Sequence, residues 1–281
     1  MENIYEIIKL NNISKSFYIN KRDGGSKNAI KSFFKRKKEE IVALKDITFS
    51  IKEGEIVGYI GPNGAGKSTT IKIMCGILNP TSGECIINNQ IPWKDRKKYV
   101  SQIGVVFGQR SQLWWDVPPI DSFELLKDIY KISDEKYKNN LEYLIKELDL
   151  KDIMKIPTRQ LSLGQRMRCE IAASLLHEPK ILFLDEPTIG LDAVSKLAVR
   201  DCIKRLNKDK KITVILTTHD MQDIEALTDR IILIGKGKIL YDGSFKEIKK
   251  KYSKLIKEAD KNEEETSTEA IVAKIYEEME I

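Results

Sequence analysis

An α/β fold is predicted for this 281-residue chain: a mostly parallel sheet, an antiparallel β segment at the N-terminal end and an inserted helical segment. Three observations predict it. Short apolar runs of strand length recur far apart, at residues 55–60, 181–184, 213–216 and 231–234. Between the first two runs the apolar spacing turns helical. Before residue 55 the chain alternates apolar and polar residues, as half-buried antiparallel strands do.

Composition bounds the reading. Hydrophobic residues make up 41% and charged residues 32%, a globular balance rather than a disordered one. The excess of 48 basic over 42 acidic residues gives a net charge of +6, too mild to imply nucleic acid by itself. No apolar run approaches the roughly 20 residues of a membrane-spanning helix. The acidic start, Met1-Glu2-Asn3-Ile4-Tyr5, lacks an apolar signal core, so no secretion is expected. Cys75, Cys85, Cys169 and Cys202 have no paired spacing and read as reduced, buried thiols without a metal.

Taken in order, residues 6–17 mix β-formers with polar residues and predict a strand. Residues 18–40 are polar and basic, with a turn at Asp23-Gly24-Gly25-Ser26. Alternation resumes at 41–44 and 47–51, giving two or three antiparallel strands before the turn Lys52-Glu53-Gly54. Residues 55–60 read as a buried parallel strand and 67–78 as the helix after it. Helical spacing covers 121–130 and 136–150, where Leu141, Leu144, Ile145 and Leu148 share one face. A helix over 165–176 precedes the strand at 181–184. Beyond Tyr252 a Glu-rich patch leads to a helix from Ser267 to Glu280, read either as an exposed, partly mobile tail or as a regulatory or dimer contact.

Gly61-Pro62-Asn63-Gly64-Ala65-Gly66-Lys67-Ser68 fits the pattern G-x-x-x-x-G-K-[ST] between a strand and a helix. Polyphosphate is a dense anion, and such a loop turns several backbone N–H groups toward it. Gly64 and Gly66 can take angles that side chains forbid. The helix starting near Lys67 adds free N–H groups and the positive end of its dipole. Lys67 is suited to the β and γ phosphates, with Thr69 beside it, and the Ser68 hydroxyl is suited to Mg²⁺. This predicts a nucleoside triphosphate site without naming its class.

Further motifs narrow the class. Leu161-Ser162-Leu163-Gly164-Gln165 resembles the LSGGQ signature of ABC ATPases. Ile181-Leu182-Phe183-Leu184-Asp185-Glu186 resembles their Walker B strand, and Pro187-Thr188-Ile189-Gly190-Leu191-Asp192 their D-loop. Thr218-His219 resembles the switch histidine, and Gln109 after Gly104-Val105-Val106-Phe107 resembles the Q-loop glutamine. The motifs stand in the family's order, and the resemblance spans about residues 5–250, with a helical subdomain at about 112–178 and a tail at 251–281.

The resemblance implies a P-loop ABC ATPase core that binds ATP and Mg²⁺. Asp185 would hold the metal with Ser68 and Gln109, and Glu186 would activate water as general base. His219 would contact the γ-phosphate and Glu186. Ser162, Gly164, Gln165 and Asp192 would complete the ATP site of an opposite subunit, identical or different. Leu163 departs from the pattern, which has glycine there, and altered packing or turnover is expected. Phe17 aligns best with the aromatic that stacks on adenine, Tyr18 next. His177 lies outside every motif and reads as structural.

The resemblance further implies separate membrane permeases and a place at the cytoplasmic face of the cell membrane. Pro62-Asn63-Gly64-Ala65 and the compact C-terminal part look like the ABC-2 type exporter ATPases. Gly108-Gln109-Arg110-Ser111-Gln112-Leu113-Trp114-Trp115-Asp116 looks like a subgroup paired with two ABC-2 type permeases. Trp114 and Trp115 read either as permease contacts or as core of the helical segment. The run Phe33-Phe34-Lys35-Arg36-Lys37-Lys38 reads as a solvated loop or a contact with anionic lipid or permease. The alternative classes are an ABC ATPase acting on ribosomes or nucleic acid and a non-catalytic nucleotide sensor. One phosphate loop, one signature and no heptad array disfavour the first. Lys67, Asp185, Glu186 and His219 disfavour the second.

Overall fold

The computed structural model describes residues 5–20, 38–108, 110–259 and 268–278. Expectations for Gln109 and for residues 21–37 lie outside them. Strands β1 (Glu6–Asn20), β2 (Lys38–Lys52) and β4 (Ser82–Ile87) form one antiparallel sheet, ordered β2-β1-β4. Strands β3 (Ile56–Ile60), β5 (Ile103–Phe107), β6 (Ile181–Asp185), β7 (Thr213–Thr217), β8 (Arg230–Gly235) and β9 (Lys238–Ser244) form a second. Its order is β5-β6-β7-β3-β8-β9, parallel except for the antiparallel pair β8–β9.

The helices are α1 (Lys67–Met74), α2 (Arg96–Val100), α3 (Pro119–Tyr130), α4 (Asp134–Glu147) and α5 (Leu163–Leu175). They continue with α6 (Ala193–Lys210), α7 (Met221–Leu227), α8 (Phe245–Ala259) and α9 (Thr268–Glu278). Strand β6 shows why its sequence is continuously apolar. Ile181 and Phe183 point into the core shared with α1 and the antiparallel sheet, while Leu182 and Leu184 point into the core shared with α5 and α6. Successive side chains alternate faces, so a strand covered on both sides buries every one. Each fully buried side chain of this size contributes about 1.5–3 kcal/mol. On α4, Leu144 and Leu148 are buried and Leu141 and Ile145 pack beside them, the face read from spacing.

Strand order sets the site. β3, β7 and β6 are neighbours, so the segments leaving their carboxyl ends emerge at one sheet edge. That edge is where open parallel sheets bind ligands.

Several expectations are corrected. The first strand runs on to Asn20, and one strand, Lys38–Lys52, replaces the separate runs at 41–44 and 47–51. Register shifts in the β1–β2 pair, with Asn12 and Asp46 at positive φ, absorb the breaks in alternation. β4, α2, β5, α7, β9 and α8 were not predicted. In α8 the stripe Phe245, Ile248, Tyr252 is buried, but the lysines around it mask the pattern. Helix α9 in the C-terminal part is no exposed tail. Ile271, Val272 and Ile275 of α9 are buried against α7, β8 and α8. The four cysteines are buried free thiols, with burial pushing Cys85, Cys169 and Cys202 up to about 12. Among the described residues, no helix is long and apolar enough to cross a membrane.

Candidate nucleotide-binding site

The loop from Gly61 to Gly66 joins β3 to α1. Gly64 and Gly66 have φ of 80° and 111°, left-handed angles that a side chain would strain. Gly61 is excluded from substitution by contact instead: a Cβ there would meet the Ile234 carbonyl oxygen at 2.3 Å. Lys67 is buried, and its Nζ donates to the carbonyl oxygens of Gly61 at 2.6 Å and Pro62 at 3.2 Å. Burial pulls its pKa below the usual lysine value, and the negative charges of Glu186 and Asp185 oppose that shift. Asn63 and Ser68 are exposed beside it, and Thr69 is half-buried. Behind the loop, Thr70 Oγ1 donates to Gly66 O at 3.1 Å and fixes the first turn of α1.

Asp185 ends β6. The Thr217 hydroxyl of β7 donates to its Oδ1 at 2.5 Å, orienting the carboxylate at the sheet edge. Glu186 follows with φ of 56°, left-handed for a non-glycine residue. Such a position costs about 1–3 kcal/mol and is held only by its surroundings. Here Glu186 N donates to Thr217 O at 2.9 Å, and Gly108 N donates to Asp185 O at 2.8 Å. A Cβ on Gly108 would lie 2.4 Å from the Glu186 carbonyl oxygen, so Gly108 runs tight against the backbone of Asp185 and Glu186. His219 Nδ1 stands 3.5 Å from Glu186 Oε1.

The signature residues form a second group. Ser162 caps α5: Gln165 N donates to its Oγ at 3.2 Å, and Ser162 N donates to Gln165 Oε1 at 2.9 Å. Asp192 caps α6 through Ser195 N and Oγ, at 2.9 and 2.8 Å. The two caps touch, since a Cβ on Gly164 would meet Ser195 Oγ at 2.3 Å. Leu163 reaches to 3.1 Å from the Cβ position of Gly190, so the departure from glycine is absorbed by packing on the loop before Asp192. Among the described residues, no hydrogen bond or ion pair joins this group to residues 61–68.

Phe17 is 37% exposed, with Lys15 Nζ 5.1 Å from its ring centroid, and Tyr18 is more open at 65%. Lys15 pairs with Leu44, which lies under Gly66, so Phe17 stands on the strand flanking the loop.

Residues 44–189 match the ABC transporter family. The chain belongs to that family. It is the ATP-binding subunit of an ABC transporter, an ATPase of the α/β cassette fold. It is 31% identical to the ABC transporter ATP-binding protein NatA of Bacillus subtilis, covering 76% of this chain and 87% of NatA. It is 34% identical to the methionine import ATP-binding protein MetN 2 of Enterococcus faecalis, covering 84% and 71%. A solved dimeric structure of the ATP-binding cassette MJ0796, in a post-hydrolysis state bound to ADP and Pi, aligns with a TM-score of 0.68. That cassette is 30% identical over 84% of this chain and 98% of its own.

Sequence reasoning missed the groups that hold the site together: Thr217 on Asp185, Glu170 on the segment after Gln109, and a buried pair, Arg200 and Asp223. Glu170 accepts from Ser111 Oγ and from Gln112 N, the latter at 3.1 Å. The signal for Arg200 was its place beside Val199, Cys202, Ile203 and Leu206 on the buried stripe of α6. A charge on such a stripe implies a buried partner.

His177 is structural. Its ring stacks on Tyr130 at 3.9 Å between centroids, and Nε2 donates to Ile103 O at 2.9 Å. Nδ1 is buried without a partner, and burial lowers the pKa to about 4 from 6.5. Because the folded value lies below the unfolded one, the unfolded chain binds the extra proton between those pH values. Stability is therefore full above pH 6.5 and falls toward pH 4, by as much as about 3 kcal/mol. Urea unfolding at pH 7 and pH 5 should show about 2 kcal/mol of this loss in the ATPase, and His177→Phe should show much less of it.

Proposed function

We propose that the ATPase binds ATP on residues Gly61, Asn63, Gly64, Gly66, Lys67, Ser68 and Thr69, with adenine on Phe17. The observation that carries this is the sheet edge itself. Loop lysine, paired carboxylates and histidine meet there, and the charges of Glu186 and Asp185 reach Lys67. Glu186 deprotonates the attacking water and His219 holds its carboxylate. Ser162, Gly164, Gln165 and Asp192 complete the site of a second ATPase subunit, so that ATP closes the pair.

Mg²⁺ fits the donors present. Ser68 and Asp185 supply hard oxygens, and Gln109 follows Gly108, whose N–H donates to Asp185 O at 2.8 Å. Among the described residues, no cluster of three or more His, Cys, Asp or Glu could hold a metal alone. Mg²⁺ in nucleotide sites is commonly held by one or two protein oxygens together with phosphate. When bound, it would offset charge on the phosphates.

The work is export through separate ABC-2 type permeases at the cytoplasmic face of the membrane. Support for a permease contact comes from the residues after Gln109. Trp114 and Trp115 are 57% and 51% exposed, contrary to a core role. They border a segment whose Ser111 and Gln112 line a cleft of about 250 Å³ together with Ile77, Phe107 and Tyr130. Glu170 fastens that segment to α5, and Arg166 lies 5.3 Å from the Trp115 ring centroid. These contacts join the tryptophan segment to the helix that Ser162 caps. Exposed tryptophans are favoured interface anchors. Trp114→Ala or Trp115→Ala should leave folding and ATP binding intact but reduce co-purification with the permeases. Undiminished co-purification of both variants would remove this reading of the partner.

A further inference from the structure

The geometry points to Asp223 as a positioning residue for hydrolysis: with Arg200, it fixes the separation of the Glu186 and His219 segments. This rests on the roles proposed above for Glu186 and His219. Asp223 lies in the first turn of α7 and has no solvent exposure. Its Oδ1 accepts from Arg200 Nε at 2.5 Å. Its Oδ2 accepts from the Thr218 hydroxyl at 3.1 Å and from the Thr188 hydroxyl. Thr188 is two residues beyond Glu186, and Thr218 immediately precedes His219. One carboxylate therefore ties the two loops that carry the 3.5 Å contact between Glu186 and His219.

The surroundings show that the tie is specific. Thr188, Thr218 and Arg200 are all nearly buried. A carboxylate taken out of water there is tolerable only because a cation and two hydroxyls meet it. Arg200 Nη2 is 3.6 Å from Asp220 Oδ1 and makes no hydrogen bond, so Asp223 is the partner that holds the guanidinium. Lys196 occupies the other oxygen of Asp220, closing the group at its outer side. None of these residues reaches the phosphate loop through a hydrogen bond or ion pair among the described residues. Their effect on turnover passes through the backbone at Glu186, whose left-handed φ depends on neighbours to hold it.

The test uses the full chain, with ATP turnover, KM and nucleotide affinity measured for Asp223→Asn, Thr188→Val and Glu186→Gln. Displacing a reacting group by about 1 Å can cost on the order of 10²-fold in rate. Asp223→Asn should approach that loss in kcat, and Thr188→Val should lose about tenfold, both with KM within about twofold. Neither change should slow the residual rate of Glu186→Gln further, because the group they position is already gone. If Asp223→Asn does not fold, Thr188→Val decides alone. Folded variants with wild-type kcat, or an equal slowing in the Glu186→Gln background, would overturn the inference. Wild-type turnover in Glu186→Gln itself would instead overturn the underlying assignment of the base.

Discussion

Glu186→Gln should lower ATP turnover by roughly 10²–10⁴-fold, the usual cost of removing a general base, while ATP affinity stays near wild type. The substitution keeps side-chain size and preserves a hydrogen-bonding group toward His219, now 3.5 Å from Glu186 Oε1. What it removes is the capacity to take a proton. Asp185 is left untouched at the end of β6, still oriented by Thr217. Steady-state phosphate release and equilibrium binding of a fluorescent ATP analogue separate the two effects. Loss of binding together with turnover would assign Glu186 to nucleotide affinity instead.

Lys67→Ala should act on the other side of that division. Lys67 is the only residue of the loop with a full positive charge, and it is nearly buried against Gly61 and Pro62. A hydrogen bond to a charged group contributes about 1.5–3 kcal/mol, so affinity for ATP should fall roughly 10–100-fold. Hydrolysis should fall further, because charge that builds on the phosphates during reaction loses the same partner. Titration of the two proteins with the same ATP analogue checks this. Equal affinity and equal turnover would remove this loop from the site.

The phosphate loop was legible because its chemistry is local: glycines, lysine and serine sit within eight consecutive residues. Asp185 and Glu186 were legible because an apolar run of strand length ending in two carboxylates resembles the Walker B strand of the family. The helical face on α4 followed from spacing alone, since burial repeats every three or four residues. What stayed hidden is made by tertiary contact. Arg200 and Asp223 are 23 positions apart on different helices, and only packing of α6 on α7 brings them together. Glu170 and Ser111 are 59 positions apart for the same reason. α8 was missed because its lysines dominate composition while three apolar residues carry the packing. The extension of the β1–β2 hairpin was missed because cross-strand pairing there involves polar residues such as Lys38, Glu39 and Glu40.

The account's central claim is that ATP held by Lys67 in one subunit is closed over by Ser162 and Gly164 of another and then cleaved with Glu186 as base. Light scattering on the Glu186→Gln protein, alone and in the assembled transporter, tests this most directly. With ATP and Mg²⁺ the mass of the isolated subunit should double, and in the transporter the two ATPase subunits should become resistant to separation. ADP should cause neither change, and adding Lys67→Ala should abolish both. A Glu186→Gln protein that turns over ATP at the wild-type rate, or that associates equally with ATP and ADP in the assembled transporter, would contradict the account.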